Sequence, residues 1–203
     1  MGSLAVLTGD IVHSQRLAPG ELDRVFSSLA HHADLLGDGT GQAAYFTRGR
    51  GDGWQIATTP RFALRAVFLM RAAVRACGKG YETRLGLGVG MGNVPGPSLA
   101  NADGPAFVAS GQALDSMKKV RRIAAVDASA AITSALPLAE VVSGRWTPRQ
   151  AEVAAQALGL PEKSRGDMAQ ALQLSQQAFQ THWAAAGLVA VLDACAIAEG
   201  QDT

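Results

Sequence analysis

At 203 residues, 48% hydrophobic and 17% charged, with a formal net charge of +1, the chain has the composition of a globular protein able to bury a core. The near-neutral balance excludes a chain that coats nucleic acid non-specifically. Two distant cysteines, Cys77 and Cys195, exclude a disulfide framework or a thiolate zinc site and read as reduced core thiols. No basic, then apolar, leader opens the sequence, and no run of about eighteen apolar residues interrupts it. A cytoplasmic protein without membrane contact is expected. Charge is uneven: residues 1–145 hold 15 Lys+Arg against 11 Asp+Glu (+4), and residues 146–203 hold 3 against 6 (−3).

The first element is the apolar run Leu4, Ala5, Val6, Leu7, which ends in Thr8-Gly9-Asp10 and fits a strand buried on both faces, the kind a parallel sheet uses. Over residues 19–36, Leu22, Val25, Phe26, Leu29, Ala33 and Leu36 recur at helical spacing, with Gly37 as the expected stop and residues 39–42 as loop. Residues 43–47 and 54–58 read as two strands joined by a Gly-rich connector bearing Asp52-Gly53, a hairpin signal. Thr59-Pro60 predicts the start of a helix with Leu64, Val67, Phe68 and Ala72 inward, Arg61, Arg65, Arg71 and Arg75 outward, and Gly78 and Gly80 ending it.

Residues 84–91 alternate at period two, with glycine on one face. Glycine weakens a strand, so this repetition predicts that something packs very close to that face. A helix over residues 105–122, a last strand over 123–127 and a short Ala-rich helix follow. The order is strand, helix, strand, strand, helix, strand, which is the ferredoxin-like βαββαβ arrangement of an α+β domain. A break near residues 142–145 divides residues 1–142 from an all-α part at 146–203.

Asp10 falls just past the first strand and Asp52 at the hairpin tip. Strands one and three are neighbours at the centre of such a sheet, so the two carboxylates are expected to approach each other. Two hard oxygen ligands plus substrate phosphates suit Mg²⁺ or Mn²⁺. The alternative for each residue alone is a turn or cap. Gly9 and Gly51, with Arg48 and Arg50 flanking the hairpin, form the expected nucleotide- or phosphate-binding set; the alternative for the arginines is a solvated hairpin tip. The basic run Lys118, Lys119, Arg121, Arg122 reads as complementing a helix dipole at its C-terminus.

Three motifs carry a resemblance: Thr8-Gly9-Asp10-Ile11-Val12, Arg50-Gly51-Asp52-Gly53-Trp54, and the alternating run from Arg84 to Gly90. They resemble those of class III nucleotidyl cyclases. With Gly104-Pro105-Ala106-Phe107 and Gln112-Ala113-Leu114, they more closely resemble the SatD family of bacterial proteins. The resemblance covers about residues 3–127 and implies a nucleotidyl cyclase-like fold with Asp10 and Asp52 as metal ligands. Such cyclases carry an Asn and an Arg on the helix after the fourth strand; here that helix reads Val108-Ala109-Ser110-Gly111-Gln112. Without those transition-state groups, binding is expected over turnover, and no catalytic residue is assigned.

In the C-terminal part, Thr147-Pro148 opens a helix with Ala151, Ala154, Ala155 and Leu158 inward and Gly159 at its end. A second helix over 167–172 and a third over 176–185, with Phe179 and Trp183 inward, have helix-turn-helix spacing. The unit resembles the DNA-binding helix-turn-helix of bacterial regulators, which implies Ser175, Gln176, Gln177, Gln180, Thr181 and His182 as the contacts to double-stranded DNA. Gln173 stands where glycine is usual, at a cost of about 1 kcal/mol if left-handed, and the recognition helix lacks Lys and Arg. The alternative is a bundle that dimerises or packs on the first domain. Leu188, Val191, Leu192 and Cys195 form an apolar face with little left to cover it, so a homodimer is expected. The leading expectation is a DNA-binding transcriptional regulator with a nucleotide- or metabolite-sensing domain; the alternative is a Mg²⁺/Mn²⁺-dependent nucleotidyl cyclase or nucleotidyltransferase.

Overall fold

The computed structural model describes residues 2–41, 43–161 and 163–200. Of the expected loop 39–42, residue 42 lies outside the described residues, as do residues 162 and 201–203 of the expected helical part.

One five-stranded sheet organises the chain, formed by β1 (Gly2–Ile11), β2 (Tyr45–Arg48), β3 (Gly53–Thr58), β4 (Thr83–Gly92) and β5 (Ile123–Val126) in the order β2-β3-β1-β4-β5. β1 is antiparallel to both β3 and β4, and β5 adds parallel to β4. The first four strands thus have the ferredoxin-like order. The apolar run of β1 does not mark a parallel strand, as its sequence suggests. It is apolar because β1 lies at the sheet centre, covered on both faces. Ala5, Leu7 and Ile11 join the large core on one side, and Val6 packs with Ala57, Leu99 and Ala106 on the other.

Helices α1 (Glu21–Thr40) and α2 (Ala63–Ala76) follow β1 and β3. α1 continues through the expected stop at Gly37, and the left-handed residue that caps it is Gly41, with φ 64°. Thr59-Pro60 opens a short 3₁₀ turn instead of α2 itself, and the Thr59 side chain makes no cap bond. α2 also corrects the expected outward arginines: Arg65 and Arg71 are buried. Helical spacing separates apolar from charged positions only where one face of a helix meets water. α2 is enclosed between the sheet and the helices that follow, so Arg65 and Arg71 are buried with partners, while Arg75 is half-buried. Arg71 donates to Ser143 Oγ at 2.6 Å and to the Thr83 carbonyl at 2.9 Å, and pairs with Glu82 at 3.3 Å.

The glycine face of β4 receives α3 (Pro105–Asp115). A Cβ on Gly86 would lie 2.4 Å from the Ser110 carbonyl oxygen, and one on Gly88 2.4 Å from the Ala106 oxygen and Ser110 nitrogen. The helix backbone itself lies against the strand, as the alternation predicts. α3 ends seven residues earlier than expected. The basic run after it therefore occupies a turn, where Arg121 pairs with Glu140 and Arg122 with Glu82.

α4 (Ala130–Arg145) is a full helix that includes the expected break at residues 142–145; the chain turns at Trp146 instead. α5 (Pro148–Leu158) begins with a complete capping box between Thr147 and Gln150 and ends at Gly159. α6 (Arg165–Ala171) and α7 (Gln176–Ala185) are joined by a tight turn in which Gln173 is left-handed, with φ 53°, and the Leu174 N–H reaches back to the Ala169 carbonyl at 2.9 Å. α8 (Leu188–Ala198) closes the described chain. Of its expected apolar face, Leu188, Val191 and Cys195 are buried within the chain, in the same core cluster as α2 and α4, and Leu192 is half-buried against that cluster. Trp146 lies at the junction, its ring centroid 6.1 Å from that of Phe68 and its indole N–H bonded to the Ala186 carbonyl at 2.9 Å. Among the described residues no single helix is long and apolar enough to cross a membrane.

Candidate functional site

β1 and β3 run side by side, and their register sets the site. Asp10 stands opposite Gly53 on one side and Arg84 on the other. The Ile11 N–H donates to the Asp52 carbonyl at 3.2 Å, which ties the hairpin tip to the end of β1. The hairpin turn is closed by Gly49 N–H to the Gly53 carbonyl at 2.8 Å, with Gly51 left-handed at φ 65°. The two expected carboxylates thus line one cleft of about 270 Å³ between β1, the β2–β3 hairpin and α3.

Gly9 lines that cleft through its backbone only. On its other side the buried Trp54 indole lies so close that a Cβ would sit 2.4 Å from the ring. The indole N–H donates to Thr83 Oγ1 at 3.0 Å, and that hydroxyl donates to the Asp10 carbonyl at 2.7 Å. Gly9 is glycine so that Trp54 can cross beneath it and brace the strand that carries Asp10.

The carboxylates are not bare. Arg84 forks onto Asp10, its Nε donating to Oδ1 at 3.0 Å and its Nη2 to Oδ2. Ser14 Oγ donates to Asp52 Oδ2 at 2.5 Å. The hydrogen bond to Asp10 pushes the Arg84 guanidinium up in pKa, and the charges of Asp10, Asp52 and Asp115 add to it. The cleft also presents a small polar set: Gln55 Nε2 donates to Thr8 Oγ1 at 2.9 Å, and Thr8 Oγ1 lies 2.7 Å from Ser110 Oγ on α3.

The two hairpin arginines part company. Arg50 is exposed and lines the cleft. Arg48 pairs with Asp23 at 2.6 Å and stacks over the Phe26 ring at 4.2 Å, so it braces α1 against the hairpin. Among the described residues no three His, Cys, Asp or Glu side chains gather as a full protein cage for a metal. Two hard carboxylates lining one cleft still suit the incomplete protein ligand set that Mg²⁺ uses with phosphates.

Away from this cleft, Ser175 spends its hydroxyl capping α7, accepting from Ala178 N at 3.2 Å, and Thr181 Oγ1 bonds back to the Gln177 carbonyl at 2.9 Å. Gln180 accepts from Arg165 at 3.3 Å, and that guanidinium lies over the Trp183 ring at 4.3 Å. Gln176 and Gln177 are exposed, and His182 is half-buried.

Sequence reasoning missed Arg84, Ser14, Thr8 and Gln55 as parts of the site. The signal for Arg84 was its place opposite Asp10 across a strand pair, which becomes readable only once β1 and β4 are set in register.

No protein-family model matches the sequence, and no curated protein matches it either. Solved structures that match the chain include the guanylate cyclase domain from Catenaria anguillulae in complex with GTP, at 18% identity and TM-score 0.45, covering 62% of this chain and 79% of that one. A dimeric guanylyl cyclase domain from Blastocladiella emersonii matches at 16% identity and TM-score 0.41, covering 57% and 74%. The GGEEF domain of a diguanylate cyclase from Vibrio cholerae matches at 17% and 0.38, covering 61% and 82%.

Proposed function

We propose that the cleft binds the polyphosphate of a nucleotide together with Mg²⁺ or Mn²⁺, as a nucleotidyl cyclase-like domain that binds its nucleotide more readily than it turns it over. The observation that carries this reading is the convergence of Asp10 and Asp52 on one cleft, fixed by the β1–β3 register and the Ile11–Asp52 backbone bond. Asp10 and Asp52 would hold the metal, which supplies positive charge against the phosphate oxygens. Arg50, at the exposed rim, would meet phosphate oxygens with charge-assisted hydrogen bonds. Thr8 and Gln55, which also line the cleft, offer neutral polar groups beside them.

Slow turnover follows from α3, which packs its backbone on β4 and carries no Lys or Arg between residues 105 and 115. Cationic groups aimed at developing phosphate charge are among the larger contributions to phosphoryl chemistry. A thermal-shift panel of nucleoside triphosphates with Mg²⁺ and Mn²⁺ tests the reading. A metal-dependent rise in midpoint that Asp52→Asn abolishes supports it, and a panel flat in the wild type refutes it.

Exposed Gln176 and Gln177 favour a second reading, in which α7 contacts the base edges of double-stranded DNA. It ranks second because phosphate contacts dominate DNA affinity and α7 carries no Lys or Arg. Salt-dependent binding of duplex DNA, weakened by Gln177→Ala, would promote it.

A further inference from the structure

The Arg84–Asp10 fork raises a question that the metal-site reading does not answer. A carboxylate that is to hold a metal is here engaged through both oxygens by a guanidinium on the neighbouring strand. The fork is no surface accident. Both residues are fixed by strand register, their side chains are only 34% and 22% exposed, and the guanidinium also feels Asp52 and Asp115. Asp10 is the carboxylate it pairs with directly. α3, which closes the cleft on its other side, carries no Lys or Arg between residues 105 and 115.

We infer that Arg84 is an exchangeable counter-ion: it holds Asp10 in the metal-free protein, yields it to the divalent cation, and then turns its charge to the incoming polyphosphate. The inference rests on the metal–nucleotide reading above and concerns how that site is regulated. Each half has a physical reason. Metal alone must displace a charge-assisted fork and leave Arg84 beside a new positive charge, so it binds poorly. Metal with polyphosphate offers the displaced guanidinium a new anion, so the two bind with positive coupling, and that coupling is reciprocal. Such a site ignores free divalent cations and responds to the cation–polyphosphate complex.

The test measures binding of Mn²⁺ alone by electron paramagnetic resonance and of Mn²⁺–tripolyphosphate by calorimetry, for the wild type, Arg84→Gln and Arg84→Lys. Arg84→Gln should tighten Mn²⁺ alone roughly three- to tenfold, the scale of one charge-assisted contact discounted for partial exposure. The same variant should bind Mn²⁺–tripolyphosphate more weakly than the wild type. Arg84→Lys, which keeps the charge and loses the fork, should tighten Mn²⁺ alone and hold tripolyphosphate near wild-type affinity. A purely structural Arg84 would move both affinities together, and that result, or no change in either, overturns the inference while leaving the metal site standing. If the wild type and both variants bind neither probe, the metal-site reading falls with it. If Arg84→Gln fails to fold, the wild type still decides: the Arg84 Nε–H resonance must shift when Mg²⁺–tripolyphosphate binds, and a resonance unmoved in the complex overturns the exchange.

Discussion

Arg65 on α2 and Glu199, just past the end of α8, form a fork with both side chains buried: Nε to Oε1 at 2.5 Å and Nη2 to Oε2 at 3.1 Å, with 2% and 1% of the side chains exposed. A guanidinium and a carboxylate separated by 134 residues in sequence therefore meet in the core, with Arg65 Nη1 also reaching the Leu158 carbonyl at 3.4 Å. Removing Glu199 takes away the carboxylate fork while the Arg65 charge stays buried. Glu199→Ala should cost about 3–5 kcal/mol of unfolding free energy in denaturant titration. Arg65→Met with Glu199→Leu should recover most of that loss, since a buried pair replaced by apolar groups is often neutral. A single-variant loss below about 1 kcal/mol would mean that the pair is solvated in solution.

The strand glycines make a graded prediction. Gly86 and Gly88 each lie against α3 backbone, where a Cβ would sit 2.4 Å from main-chain atoms, whereas the nearest atom to a Cβ on Gly90 is 3.5 Å away. Gly86→Ala and Gly88→Ala must push the helix off the sheet, which should cost about 1–3 kcal/mol or more. Gly90→Ala should change stability by less than about 1 kcal/mol. Equal midpoints for all three variants in thermal unfolding would contradict the packing of α3 on β4.

Burial pushes the Cys195 thiol up to about 12 from an ordinary value of 9.0. The protein should therefore be most stable, as far as this group is concerned, below pH 9. From pH 9 to 12 the unfolded chain loses the thiol proton that the folded chain keeps, so stability should fall with rising pH by up to about 1.4 kcal/mol per unit. Cys195→Ala should flatten that alkaline limb in urea midpoints measured across pH. A limb of unchanged slope would assign it to other groups.

Much of the sheet was legible because β-structure writes a period-two pattern, and the β4 alternation of glycine with large apolar residues even announced the close approach of α3. The α5 capping box and the inward Phe179 and Trp183 were legible for the same local reason. What failed was anything decided by a distant partner. Arg65 and Arg71 look outward on a helical wheel, and only Glu199, Ser143 and Thr83 explain why they are buried. The burial of Leu188, Val191 and Cys195 on α8 was not legible because helix α2, in the same core cluster, lies over a hundred residues away. Within the candidate site, Asp10 and Asp52 were marked by turn motifs, whereas Arg84 was hidden in a strand pattern and Arg48 proved to be held by Asp23 and Phe26.

The central claim is that Asp10 and Asp52 form one metal-dependent nucleotide site. The most direct measurement is a calorimetric titration of GTP and ATP into wild-type, Asp10→Asn and Asp52→Asn protein, each with Mn²⁺ and with chelator. The account predicts binding to the wild type with Mn²⁺, lost with chelator and weakened at least tenfold in each variant, a difference of about 1.4 kcal/mol or more. Wild-type binding that persists with chelator, or that either variant leaves unchanged, would contradict it.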